Sequence, residues 1–229
     1  MATFEAQVEG LTGIGGSAVL DGSSTPTDVE LDQFLKDGVI DVTRRTLTIA
    51  PQESFKFQRS TTSDSQGVSV GGAQIVTVMR EANADGSSDG STAWEKCRLV
   101  PASLQSKVVD SSSLYFASIY NPVYVIENNN TINVYPVPEA NNGMKIIYIN
   151  EEPRDITNNA ALVHTHENIK YFPNDKVYLV VIYAAIKCLE AKMADYTITE
   201  EDPELVTTIV QNLATLKQQY EGAFSKEAK

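Results

Sequence analysis

The segment from Pro173 to Tyr196 is apolar nearly all the way round a helix, and this constrains the chain more than any other feature. Val177, Val180, Val181, Ala184, Cys188 and Leu189 make one stripe at helical spacing. Tyr178, Leu179, Ile182 and Ile186 extend the apolar surface to the other sides. Such a helix has to be buried on most sides, by its own chain or by neighbouring subunits. Pro173 suits its opening position, where the missing N–H is not needed. A second pattern covers Asp202–Gly222: Asp202-Pro203-Glu204 reads as a start, Leu205, Ile209, Leu213, Leu216 and Tyr220 recur at helical spacing, and Gly222 reads as the stop. The short link Thr197–Glu201 makes the two helices antiparallel neighbours.

The front of the chain carries a third helix, Thr27–Arg45. Thr27 followed by Glu30 is a capping box, in which hydroxyl and carboxylate each take a free backbone N–H. Asp28, Glu30 and Asp32 suit the positive end of the helix dipole, and Arg44-Arg45 the negative end. Leu31, Phe34, Leu35, Val39 and Val42 form its apolar stripe. Ahead of it, Phe4, Val8, Leu11 and Ile14 give a weaker helical signal, broken by Gly10, Gly13, Gly15 and Gly16. Asp21-Gly22-Ser23-Ser24 is loop chemistry.

From Thr46 to Tyr171 the pattern changes to short alternating runs separated by turns. The expected strands are Leu47-Thr48-Ile49, Ser54–Gln58, Ala73–Met79, Trp94–Val100, Ser113–Ile119, Val123–Glu127, Thr131–Tyr135 and Met144–Ile149. Asn128-Asn129-Asn130 and Asn141-Asn142-Gly143 read as hairpin turns, because Asn and Gly tolerate positive φ. Pro136 and Pro138 end a strand or mark an edge. Ser60–Gly72 and Ala82–Ser91 read as long loops. The expected fold class is α+β. Residues 1–45 and 173–229 make a helical bundle from the N- and C-terminal helices, and residues 46–172 form a large inserted antiparallel β-domain with long loops.

With 229 residues, 42% of them hydrophobic, the chain can bury a core. Its longest apolar run, Val177–Ile186, is ten residues, about half of what a bilayer-spanning helix needs. The start Met1-Ala2-Thr3-Phe4-Glu5 has neither a basic nor an apolar leader segment, so the expectation is a soluble protein made in the cytoplasm. The net charge is −12. It is spread as −5 over residues 1–45, −4 over 46–172 and −3 over 173–229. No segment is basic enough to neutralise a run of phosphates, which argues against ordinary nucleic-acid binding. Such an acidic surface can keep a protein dispersed, or lie beside DNA without holding it. Two cysteines, Cys97 and Cys188, cannot build a disulfide framework, and Cys188 falls inside the apolar helix as a small core residue.

Nothing in the chain has the spacing of a catalytic constellation. His164-Thr165-His166-Glu167 holds both histidines and would put the two imidazoles on one face of a strand, but a zinc site needs three or four ligands. A polar loop or strand end is the better reading. Asp85-Gly86-Ser87-Ser88-Asp89-Gly90 is a faint match to a calcium loop, without its alternating carboxylates or its closing Glu. There is no nucleophile elbow, phosphate-binding loop or dinucleotide fingerprint. The adjacent pairs Glu151-Glu152 and Glu200-Glu201 point in different directions. No catalytic residue, cofactor or metal is therefore assigned, and the chain reads as a non-enzyme. Tyr115, Phe116, Tyr120, Tyr124 and Tyr135 read mainly as core or cross-strand residues. A stacking platform for glycans or bases is the alternative.

Several blocks, in order along most of the chain, carry a family resemblance. They are Phe4–Thr12, then Thr25-Pro26-Thr27 with Leu31 and Phe34–Val42, then Asp110–Tyr115, Val134–Pro138, and Phe172-Pro173 with Tyr178–Val181, Ala184, Lys187 and Leu189. Together they resemble virion neck proteins of tailed bacteriophages, the head-to-tail adaptor (connector) family. The resemblance implies a structural virion protein at the head–tail junction. It implies a helical bundle docked under the portal ring and an inserted β-region contacting neighbours and the tail or its nozzle. It further implies a homo-oligomeric, dodecameric ring around a channel through which genomic DNA passes without specific binding, and no membrane. The long loops Ser60–Gly72 and Ala82–Ser91 depart from the family pattern. The tail Phe224–Lys229 is expected to leave the last helix, and Tyr220, Phe224 and Lys226 are the candidate partner-interface residues, with the portal as partner. A frayed terminus is the alternative. Other readings are a tail nozzle, tail terminator or minor capsid protein, or a β-rich glycan-binding or adhesion module.

Overall fold

The computed structural model describes residues 2–13, 26–82, 93–139, 143–155, 162–199 and 203–227; the side chains of 197–199, 203–205 and 226–227 are not described. In order the chain forms α1 (Phe4–Thr12), α2 (Asp28–Ile49), a 3-10 helix (Pro51–Phe57), β1 (Gln58–Ser63), β2 (Val68–Ser69) and β3 (Gln74–Glu81). It continues with β4 (Trp94–Lys96), β5 (Arg98–Leu99), the short α3 (Gln105–Val108), β6 (Val123–Glu127), β7 (Thr131–Tyr135) and β8 (Met144–Ile149). It closes with α4 (Val177–Thr199) and α5 (Pro203–Glu227). The class is α+β, with N- and C-terminal helices flanking a β region. Two units result, a helical one of Met1–Phe57 with Glu151–Lys229 and a β unit of Gln58–Asn150. No helix among the described residues is long and apolar enough to cross a membrane.

In the helical unit α2 opens on the expected capping box: Thr27 N–H donates to Glu30 Oε2 at 2.7 Å, and Glu30 N–H to Thr27 Oγ1 at 3.4 Å. The helix outruns its expected end at Arg45 by a full turn, so Leu47-Thr48-Ile49 is helical, not a strand. Thr46, four residues after Val42, keeps the buried stripe in register, and Pro51 stops the helix by disfavouring helical geometry at Ala50. The expected strand Ser54–Gln58 is likewise mostly the 3-10 helix, which buries Phe57 edge-on to Phe172 at 5.6 Å. Pro173 stands one 3-10 turn ahead of α4, outside its first position.

α4 is the axis of this unit. Between Leu179 and Leu189 only Tyr183 and Lys187 escape full burial, as an all-round apolar helix demands. It packs against α1, α2 and α5. Gly38 marks where α2 comes closest, since a Cβ there would lie 3.1 Å from Tyr183 Cδ1 and 3.3 Å from Val180 O. α5 runs antiparallel to α4, pairing Tyr220 with Tyr183 at 5.9 Å and Lys217 with Glu190 at 2.8 Å. It does not stop at Gly222. The buried stripe Ile209, Leu216, Tyr220 gains Phe224 four residues on, and burying that ring outweighs the roughly 1 kcal/mol helix penalty of a glycine. The expected departure of the tail at Phe224 is therefore wrong as far as Glu227, the last described residue.

The β unit holds two four-stranded sheets, ordered β1-β8-β3-β4 and β2-β7-β6-β5. All pairs are antiparallel except β5 with β6. Val78, Met144 and Ile146 of one sheet share a core with Ile132 and Val134 of the other, joined by Val70, Ala73 and Cys97. The β6–β7 hairpin turns at Asn128–Asn130, where Asn129 and Asn130 take φ of 53° and 55°, as expected of Asn. The strand expected over Trp94–Val100 is split at Cys97, whose N–H goes to Val78 O in one sheet while Arg98 joins the other. Ser60–Gly72 is not a long loop: β1 and β2 occupy much of it, and Val70 is core. Asn141-Asn142-Gly143 joins strands of different sheets and so is no hairpin; Asn141 and Asn142 lie outside the described residues. Ala82–Ser91 beyond Ala82, Ile14–Ser24 and Glu200–Asp202 also lie outside them.

Candidate functional site

Three places in the molecule bear on function: the α2–α5 seam, a groove on α1 and α4, and a loop of the β unit. The seam contains the interface residues expected from the sequence. Tyr220 donates its hydroxyl to Asp41 Oδ2 at 2.5 Å. Arg45, one turn further along α2, brings Nε within 2.9 Å of the same oxygen and Nη1 within 2.9 and 3.0 Å of the Glu221 carboxylate. Its guanidinium lies 5.2 Å from the Tyr220 ring centre and 5.5 Å from that of Phe224, a cation–π arrangement. Phe224 stacks edge-on to Tyr220 at 5.3 Å. Burial first, and the bond to Asp41 second, push the Tyr220 phenol well above its ordinary value. Tyr220 and Phe224 are each 4% exposed, so neither projects as an anchor for a partner. They fasten α5 to α2. The Lys226 side chain lies outside the described ones, although its backbone is part of α5.

The groove was not foreseen. Ala2, Ala6 and Gly10 follow one another at intervals of four, leaving one side of α1 without bulk. Opposite stand Tyr178, Val181 and Ile182 of α4, and Leu11 completes an apolar groove of about 460 Å³. Tyr178 is 52% exposed and Leu11 38%. The spacing of small residues was the available signal, masked by the attention that the glycines draw as helix breakers.

The β-unit loop corrects a second expectation. Residues 113–119 form turns rather than a strand. Tyr115, Phe116 and Tyr120 are therefore exposed, whereas Tyr124 and Tyr135, on true strands, are half-buried. Leu114 beside them is 93% exposed.

The candidate chemistry dissolves into structure. His164 sits in a turn, not a strand, and its backbone N–H and ring Nδ1 both meet Asp32 Oδ1, at 2.6 and 2.8 Å. The carbonyls of His166 and His164 accept the N–H groups of Phe4 and Glu5 at 2.8 and 3.1 Å, so the tripeptide fastens the start of α1. No cluster of three metal-ligating residues exists among the described residues. Burial pushes both thiols, Cys97 and Cys188, up to about 12, far from the thiolate a nucleophile needs. Asp85–Gly90 lies outside the described residues. In comparisons with known proteins, no family model and no curated protein matches the chain.

Proposed function

We propose that this chain is a structural, non-enzymatic virion protein: a head-to-tail adaptor that forms a ring between portal and tail and lines the DNA channel. The observation that carries it is the plan of the helical unit. It is assembled from N- and C-terminal segments with an inserted β unit between them in sequence, and among the described residues its surface carries an apolar groove. A ring subunit needs a rigid helical body with apolar surface left for its neighbours, and a second body free to meet other components. Charge supports the same reading. The helical unit has 12 basic and 22 acidic residues, net −10, against 6 and 8, net −2, in the β unit. A surface that acidic repels phosphates, so DNA slides past it without sticking. The ring is dodecameric in this proposal, made in the host cytoplasm and placed at the virion neck. Portal and tail components are its partners, and no residue-level portal contact is assigned, since Tyr220 and Phe224 are buried.

Removing the gene from the phage is expected to leave DNA-filled heads without tails, and adding the purified chain to restore joining. Tailed, infectious particles formed without the chain would end the proposal. The exposure of Tyr115, Phe116 and Tyr120 favours a second reading, a glycan-binding module. Binding to a glycan array that is lost in Tyr115→Ala would select it.

A further inference from the structure

We propose that the apolar loop Val109–Tyr120 of one copy docks into the α1–α4 groove of a second copy of this chain, a head-to-tail contact between unlike surfaces. The loop is built to hold its shape. Asp110 Oδ1 accepts from Ser112 N–H at 3.0 Å and Ser112 Oγ at 2.6 Å, and Asp110 O accepts from Ser113 N–H at 2.9 Å. Ser113 in turn accepts from Tyr115 N–H through its hydroxyl and from Phe116 N–H through its carbonyl, both at 3.1 Å. Ala117 N–H closes the base on Val108 O at 3.0 Å. A loop already ordered loses little conformational freedom when it binds. Within the loop Leu114 is 93% exposed, Tyr120 67% and Val109 63%. Large apolar side chains displayed together on a rigid loop mark a contact surface.

The character of the loop selects the occupant. Leu114, the most exposed large apolar side chain of the loop, carries no hydrogen-bonding group, so an apolar recess is what buries it. The chain supplies one in the groove formed by Ala6, Gly10, Leu11, Tyr178, Val181 and Ile182. Charge then decides which surfaces meet. Pairing groove with groove would bring together two helical units of net −10, whereas the β unit, at −2, is repelled least. Glu5 and Glu9 adjoin the groove residues Ala6 and Gly10 in sequence on α1. Exposed Lys107 just precedes the loop, whose own acid Asp110 is engaged by Ser112, so the charges favour loop with groove over groove with groove. Knob and groove are different surfaces, so the contact is heterologous and each copy keeps a free knob and a free groove for the next. The inference needs only these two surfaces and stands or falls apart from the neck assignment.

Sedimentation velocity on the full chain tests it, with Leu114→Asp and Tyr178→Asp as variants at exposed positions and circular dichroism to verify their folds. The wild type is expected to associate increasingly as its concentration rises. Each variant should weaken association by about tenfold or more, the scale set by burying one large apolar side chain. An equal mixture of the two variants should recover a two-copy species and nothing larger, because only one intact knob and one intact groove remain between them. A wild type that stays monomeric would overturn the proposal. So would variants that associate as the wild type does, a Tyr178→Asp defect without a Leu114→Asp defect, or a mixture no larger than either variant alone.

Discussion

Aromatic side chains are used in opposite ways by the two units. On α5, Tyr220 and Phe224 are closed beneath Arg45 and Asp41 of α2. In the β unit, Tyr115, Phe116 and Tyr120 stand out on a loop led by Leu114. From the sequence Phe224 is expected to leave the helix with the tail and Tyr220, although on the helical stripe, to serve a partner, whereas the second group is expected mainly in the core because it lies among strands. The difference lies in the backbone. A helix carried on past Gly222 returns Phe224 to the buried stripe, whereas the Asp110 carboxylate captures Ser112 and turns the chain out of any sheet. Which way an aromatic faces follows from the local hydrogen bonds more than from its neighbours in sequence.

The comparison is broken most forcefully in the helical core. Leu179→Ala, at a fully buried position on α4, is expected to cost about 2–5 kcal/mol, read by denaturant unfolding followed through helical circular dichroism. A loss under 1 kcal/mol would mean that α4 is not the axis of its unit. Next comes Gly38→Ala. The helix gains propensity, but the new methyl meets Tyr183 and the Val180 carbonyl, and the net loss should be about 1–2 kcal/mol in the same experiment.

Tyr220→Phe keeps the ring and removes the bond to Asp41, for an expected loss of about 1 kcal/mol. It also carries a pH signature. The folded phenol titrates above its ordinary value of about 10, so its contribution is fully present below that pH and is lost as the pH rises through the folded value. The variant should therefore lose less stability than the wild type between neutral pH and the alkaline range. Smallest of all is Leu114→Ser, which should leave stability within about 0.5 kcal/mol of wild type, since no described residue of its own chain covers that side chain. A large effect there would show that the loop serves the fold rather than a contact.

The helices were readable because their signals are local and redundant. The box at Thr27–Glu30 and the all-round apolar run from Leu179 to Leu189 need no tertiary information. Val123–Glu127, Thr131–Tyr135 and Met144–Ile149 were placed to the residue for the same reason. Sheet membership was not readable: nothing before Cys97 announces that the chain changes sheets there, because pairing is decided by distant partners such as Val78. Leu47-Thr48-Ile49 misled through its β-branched composition, overridden by the register of the helix before it. The groove escaped because it consists of what α1 lacks along Ala2, Ala6 and Gly10.

The most direct test of the adaptor assignment is cryo-electron microscopy of the intact phage particle. The expected result is a closed ring of copies between portal and tail, with α4 and α5 in its helical body and the acidic surface toward the DNA. A neck built without this chain, or a particle that lacks it altogether, would contradict the assignment.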